Sequence, residues 1–186
     1  MPRSVTIFES GGQLALIERS LLRACGVSDH VMVSTETALF DALREGCDLV
    51  VINWTAPWEG LVALVRAVRD RRTSPDPFVA ILVVSPALNA ANAAAAMNAG
   101  VTSLMRTPFS AADIQRQLAI VSAPARFIDA PNYFGPDRRK GEATVTPELE
   151  ARVGAPCVIL EGDVFQAIRA KHREAFAAPD PARAAS

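Results

Sequence analysis

The chemistry this chain of 186 residues can perform turns on Asn53. It closes Leu49-Val50-Val51-Ile52, an apolar, β-branched run of the kind that makes a strand buried on both faces. Pro57 and Gly60 then break the backbone before the next helix. In an open parallel sheet, ligands and chemistry collect in the crevice beyond the carboxyl ends of the strands, which is where Asn53 belongs. A side-chain amide hydrogen-bonds, but it is neither a carboxylate nucleophile nor a strong ligand for a hard cation. Other reactive residue types assemble nothing stronger. Cys25, Cys47 and Cys157 lie far apart without CxxC or Cys/His spacing and read as reduced core thiols. His30 and His172 have no second His or Cys nearby and read as surface residues. No Ser/His/Asp or Cys/His set can be assembled from spacing. Gly11-Gly12 opens a helix and could cradle a phosphate, but without GxxxxGK[ST] or GxGxxG it reads as an ordinary turn.

The elements that position Asn53 follow from hydrophobic periodicity. Strands are expected over 4–8, 31–33, 49–52, 78–84 and 101–105, and helices over 13–24, 35–44, 61–68, 89–99 and 111–121. Ser110 caps the fifth helix, whose Ile114, Leu118 and Val121 face inward. Regular alternation of strand and helix implies right-handed crossovers and a parallel sheet, so residues 1–122 form an α/β domain. The texture then changes. Residues 123–160 are rich in Pro, Gly and charge and read as an extended arm or linker. A helix over 161–178 is expected next, with Asp163 as N-cap and Val164, Phe165, Ile168, Ala175 and Phe176 as its apolar stripe. Its docking place is the domain or a second copy, with a homodimer slightly favoured. Residues 179–186 should fray.

Composition narrows the function classes. Half the residues are hydrophobic, enough for a sizeable core, and a net charge of -1 argues against a general nucleic-acid coat, so DNA is not an expected partner. No uncharged run approaches the ~20 residues of a membrane span, and the N-terminus is no signal peptide, so a cytoplasmic protein without membrane insertion is expected.

Residues 1–122 resemble a receiver domain of the bacterial response-regulator (chemotaxis-regulator-like) family. The cues are the strand–helix order, NWTAPWEG in place of DWxMPxMDG, and GVTSLMRTPFS in place of GVTxFLxKPFS. The resemblance implies a doubly wound, flavodoxin-like (βα)5 sandwich with sheet order 2-1-3-4-5 and a cis Thr107-Pro108 bond. It also implies a phosphorylation site, whose positions here have changed. The acidic pair that holds Mg²⁺ becomes Glu9-Ser10, the phosphoacceptor becomes Asn53, the hydroxyl is kept as Ser85, and the lysine position is Thr107. Arg106, beside it, should point to the other face of the strand and stay solvated rather than pair with Glu9. With one carboxylate left of three, Mg²⁺ is not expected, and the chain is expected to be no enzyme.

The arm RFIDAPNYFGPDRRK resembles the C-terminal extension of some alphaproteobacterial stand-alone receivers, a subset of which bind cyclic di-GMP. That resemblance implies a nucleotide site at Arg126, Tyr133, Asp137, Arg138 and Arg139. Arginine forks would meet phosphate and guanine, Asp137 the guanine N–H edge, and the tyrosine a base. Lys140, where the fully arginine tail is interrupted, cannot make a bidentate fork. The plainer alternative is that Phe127, Tyr133 and Phe134 pin the arm while the basic cluster is solvated. The helix NAANAAAAMNAG offers a small-residue face for a close neighbour, or simply reflects high alanine content. The expected function is a phosphorylation-independent adaptor in bacterial signalling, partnered by a histidine kinase, a phosphotransfer protein or a motor component. A cyclic di-GMP effector acting on the flagellar motor or surface attachment is the alternative.

Overall fold

In a computed structural model, residues 2–10, 23, 26–27, 29–123, 125–139 and 144–177 are described. Five parallel strands form one sheet: β1 (Ser4–Glu9), β2 (Asp29–Val33), β3 (Leu49–Asn53), β4 (Ala80–Ser85) and β5 (Ser103–Arg106). Their order is β2-β1-β3-β4-β5, the doubly wound arrangement the sequence implies. Between them run α1 (Glu36–Glu45), α2 (Trp58–Arg69) and α3 (Ala90–Ala99), with α4 (Ala111–Val121) after β5. The expected helix 13–24 (apart from Arg23), Gly11-Gly12, Cys25, Lys140 and the 179–186 tail lie outside the described residues.

Strand alternation divides the core into two layers. Val50 and Ile52 of β3 face one layer, with Leu39, Leu43, Leu61, Leu64 and Val65 from α1 and α2. Leu49 and Val51 face the other, against Ile114 and Leu118 of α4. Two of the element starts that differ from the expected ones have local reasons. β4 begins at Ala80 rather than at 78, because Asp76 Oδ1 accepts the Phe78 N–H at 3.2 Å and holds that residue in a turn. β5 begins at Ser103, because the Val101 N–H still donates to Ala96 O at 3.2 Å and closes α3.

The segment expected as an extended arm is folded. β6 (Phe127–Ala130), β7 (Tyr133–Pro136) and β8 (Val158–Leu160) make an antiparallel sheet in order β7-β6-β8, with α5 (Pro147–Val153) between β7 and β8. The last helix, α6 (Gly162–Ala177), docks on the α/β domain of its own chain. Phe78 is the hinge pin: the rings of Phe127, Phe134 and Phe165 lie 5.2 to 5.6 Å from it. Beneath them Asp76, its side chain fully buried, receives Arg169 of α6, with Nη2 at 2.6 Å and Nε at 3.1 Å from Oδ2. His172 Nε2 lies 2.8 Å from Ser74 O, with its ring stacked 4.9 Å from Phe176. These contacts correct two expectations. The inward face of α6 is Phe165, Arg169, His172 and Phe176, at helical spacing, whereas Val164, Ile168 and Ala175 are exposed. His172 is therefore an interface residue. The face contains polar groups because the domain offers it a carboxylate and a free carbonyl. Asp163 sits in the first turn of α6 rather than before it, where its charge favours the helix dipole.

Among the described residues no helix is long and apolar enough to cross a membrane.

Candidate functional site

The sheet brings the five expected crevice positions to one edge. Glu9 ends β1 beside Asn53 at the end of β3, and Ser85 ends β4 beside Arg106 at the end of β5, followed by Thr107. Thr107-Pro108 is cis. Asn53 Nδ2 donates to Glu9 Oε2 at 3.1 Å. The amide thus supplies the carboxylate with a hydrogen-bond donor. Ser10 Oγ donates to Asn53 O at 2.9 Å and accepts the Thr55 N–H at 3.1 Å. An aspartate at position 10 could not make that first bond, since a carboxylate and a carbonyl both only accept. Serine converts the position into a staple between the β1 and β3 loops.

The crevice is also closed. Asn53 and Ser85 have no exposed surface at all, so neither can meet an incoming phosphoryl donor without the loops opening. Ser85 Oγ accepts the Ala87 N–H at 3.1 Å. Trp54, the next residue, packs into the core layer at 8% exposure, with Nε1 donating to Pro57 O at 3.0 Å and its ring stacked at 6.4 Å on Phe8. Gly60 permits this, because a Cβ there would come within 2.9 Å of the indole. Arg106 is exposed on the far side of its strand, as alternation implies. The donor set does not fit Mg²⁺: one carboxylate, already bonded to an amide, stands where a near-octahedral oxygen shell would be needed. Among the described residues no three His, Cys, Asp or Glu side chains gather into a metal site.

The arm residues come together too, but not as a solvated cluster. Arg138 donates from Nη1 to Val101 O at 2.7 Å and from Nη2 to Met97 O at 2.8 Å, capping the end of α3. Arg139 forks onto Asp137, with both N–O distances 2.9 Å, and Asp137 has no exposed side-chain surface. Arg126 Nη2 donates to Arg139 O at 2.6 Å. Burial alone would raise the Asp137 carboxyl, but the side-chain and backbone hydrogen bonds from Arg139 prevail and hold it below the ordinary range. Tyr133 OH donates to Pro136 O at 3.1 Å, and Phe134 packs edge-on to Phe78. Gly135 lets the hairpin close on the domain, since a Cβ there would lie 3.1 Å from the Gly100 Cα. On the described residues α3 packs against α2 and β7 of the same chain.

Sequence reasoning missed Arg69. This residue of α2 is 4% exposed; its Nε donates to Gly100 O at 2.9 Å, and its Nη1 to Pro77 O and Val79 O, both at 2.7 Å. Its guanidinium lies 5.3 Å from the Phe127 ring centroid. Among the described residues no carboxylate pairs with it, and burial pushes its pKa down to about 10. The run Arg69-Asp70-Arg71-Arg72 was visible, but a charged helix end ordinarily faces solvent. Missed for the same reason was the buried Asp76–Arg169 pair, whose members stand 93 positions apart.

No known family profile matches the chain, and no curated relative matches it. Solved structures do. A response regulator from Thermotoga maritima aligns over 66% of this chain and 100% of its own, with 19% identity and TM-score 0.55. A putative response regulator from Chloroflexus aurantiacus gives 66% and 99%, 19% identity and 0.54. The fold is that of a receiver domain. The receiver domain of a sensor histidine kinase from Pseudomonas aeruginosa, solved with magnesium in its active-site cleft, aligns over 66% and 100% with 15% identity and TM-score 0.54. These receivers are covered nearly end to end, so about a third of this chain is additional to them.

Proposed function

We propose that this chain is a pseudo-receiver: a phosphorylation-independent adaptor in bacterial signal transduction that acts by binding another signalling protein rather than by catalysis. The observation that supports this best is the state of Asn53, an amide with no exposed surface that donates to the one remaining carboxylate. A phosphoacceptor needs a nucleophilic oxygen, a cation to offset the phosphoryl charge and a path for the donor. Here Glu9, Asn53 and Ser10 are instead tied to one another by hydrogen bonds, and Ser85 is buried with its hydroxyl accepting from Ala87. The partner classes this reading points to are a histidine kinase, a phosphotransfer protein or a motor component, met in the cytoplasm. The cyclic di-GMP alternative comes second, because it requires Arg138 and Arg139 to leave the carbonyls and the carboxylate that hold them.

Incubation with Mg²⁺ and acetyl phosphate, or with beryllofluoride, tests the proposal. The expected result is an unchanged mass and an unchanged amide NMR spectrum. A stoichiometric, acid-labile phosphoryl adduct would overturn it.

A further inference from the structure

With the end of α2, the β6–β7 hairpin makes a cationic hollow of roughly 410 Å³. Arg66, Arg69, Arg71 and Arg72 all line this one space, and all come from the stretch 66–72. Among the described residues Asp70 is the one carboxylate on its walls, and its Oδ1 already accepts the Arg72 N–H at 2.9 Å. The four cations are not equivalent. Arg71 is matched by Asp129 and lies 5.0 Å from the Phe134 ring centroid. Arg69 forms the inner wall at 4% exposure, and among the described residues its Nη2 has no hydrogen-bond partner. At the rim Arg66 and Arg72 are exposed, and their guanidinium groups make no hydrogen bond or ion pair among the described residues. A buried, uncompensated cation costs free energy, and carboxylates seated in the hollow would offset it.

The rest of the lining says what carries those carboxylates. Asn98 near the end of α3 and Asn132 in the hairpin turn are exposed, and their side-chain amides have no hydrogen-bond partners among the described residues. Such an amide offers both donors and an acceptor, the complement of a peptide's own C=O and N–H. Arginine clusters recognise acidic and phosphorylated segments alike. Here, however, the cations are spread along the chain, with Arg66 and Arg69 on one face of α2 and Arg72 in the turn that follows it. A row of side-chain carboxylates meets that spread better than a single compact anion does. The hairpin wall belongs to the third of the chain that the similar receivers lack, so the shared fold does not supply the hollow. We propose that this hollow is the docking site for an acidic, extended segment of the partner protein. Its carboxylates meet Arg66 and Arg72 above Arg69, and its main chain meets Asn98 and Asn132. This rests on the adaptor reading and names the chemistry of the partner.

A fluorescein-labelled peptide of alternating glutamate and serine, titrated with the full chain at low salt, tests this by anisotropy, and amide NMR locates the site. Saturable binding is expected, with shifts confined to 66–72, Asn98 and 132–134. Affinity should fall about tenfold or more in the Arg66→Ala, Arg72→Ala double variant, which removes two charge-assisted contacts. Both residues are exposed, so the variant should fold, and an unchanged thermal midpoint establishes that. Arg106→Ala together with Arg116→Ala removes the same charge at exposed positions elsewhere and should bind as the parent does. Absence of saturable binding, shifts scattered over the cationic surface, or equal losses in the two double variants would overturn the proposal. So would a phosphoserine peptide binding where the glutamate peptide does not, or self-association of the chain that the Arg66, Arg72 variant abolishes. Acetyl phosphate reports on the crevice alone, so a phosphoryl adduct there would overturn the adaptor reading without altering the peptide result.

Discussion

Replacing Asn53 with aspartate sets a second carboxylate against Glu9 where an amide donor now sits at 3.1 Å. Two unit charges about 4 Å apart repel by roughly 4 kcal/mol at an effective dielectric of about 20. The variant can limit this by keeping one proton on the pair. Holding a carboxyl of ordinary pKa near 4 protonated at pH 7 costs about 4 kcal/mol as well. Both routes converge, so Asn53→Asp should lower the unfolding free energy by about 4 kcal/mol at pH 7. The sign of the pH dependence follows. The folded variant binds more protons than its unfolded chain, so its stability rises as pH falls, and the deficit should shrink between about pH 7 and pH 5. Urea denaturation of both proteins at the two pH values measures it, and millimolar Mg²⁺ should recover part of the loss in the variant alone. A deficit under about 1 kcal/mol at pH 7, or one that does not change with pH, would refute this account of the amide as the carboxylate's hydrogen-bond donor.

Other expectations follow from single contacts. Arg169→Ala leaves Asp76 buried and unpaired, and should cost about 3–5 kcal/mol in denaturant titration; a loss below ~1 kcal/mol would mean the helix docks without it. Asp137 is held below the usual carboxylate range when folded, so its contribution is intact above the unfolded value near 4 and is lost as pH falls through the folded one. Acid titration by NMR should therefore move the Gly135 and Arg139 amides only below about pH 4, a step absent in Asp137→Asn. Burial pushes the Cys47 thiol up to about 11, so it should resist iodoacetamide at pH 8 until the protein unfolds; rapid labelling of native protein would contradict that.

The doubly wound sheet was legible because its strands are buried on both faces and its helices repeat their apolar positions. Ser110 announced its helix cap, and the structure has the full capping box with Asp113. The crevice residues were legible as positions, since strand ends are set by periodicity. Their bonding was not, because Ser10 and Asn53 are joined through backbone groups that have no sequence signature. The arm misled for a different reason. Its Pro, Gly and charge suggest a linker, yet Gly135 is there for close approach to Gly100, and Arg138 and Arg139 satisfy groups inside the fold. Likewise the stripe on α6 was read as apolar, while its inward residues include Arg169 and His172. Polar residues that face inward to meet a partner far along the chain are invisible to hydrophobic periodicity.

The union of Asp76 with Arg169 also bears on how the protein is made. Asp76 leaves the ribosome 93 residues before the arginine that will neutralise it. Until then the nascent domain must keep that carboxylate hydrated and leave Phe78 without the rings of Phe127, Phe134 and Phe165. The domain's own strands are complete by Arg106, so a chain folded in its sheet before α6 emerges would leave that aromatic edge uncovered. Synthesis halted before α6 would release a chain that is folded in its sheet but adhesive at one corner, a natural substrate for chaperones and proteases.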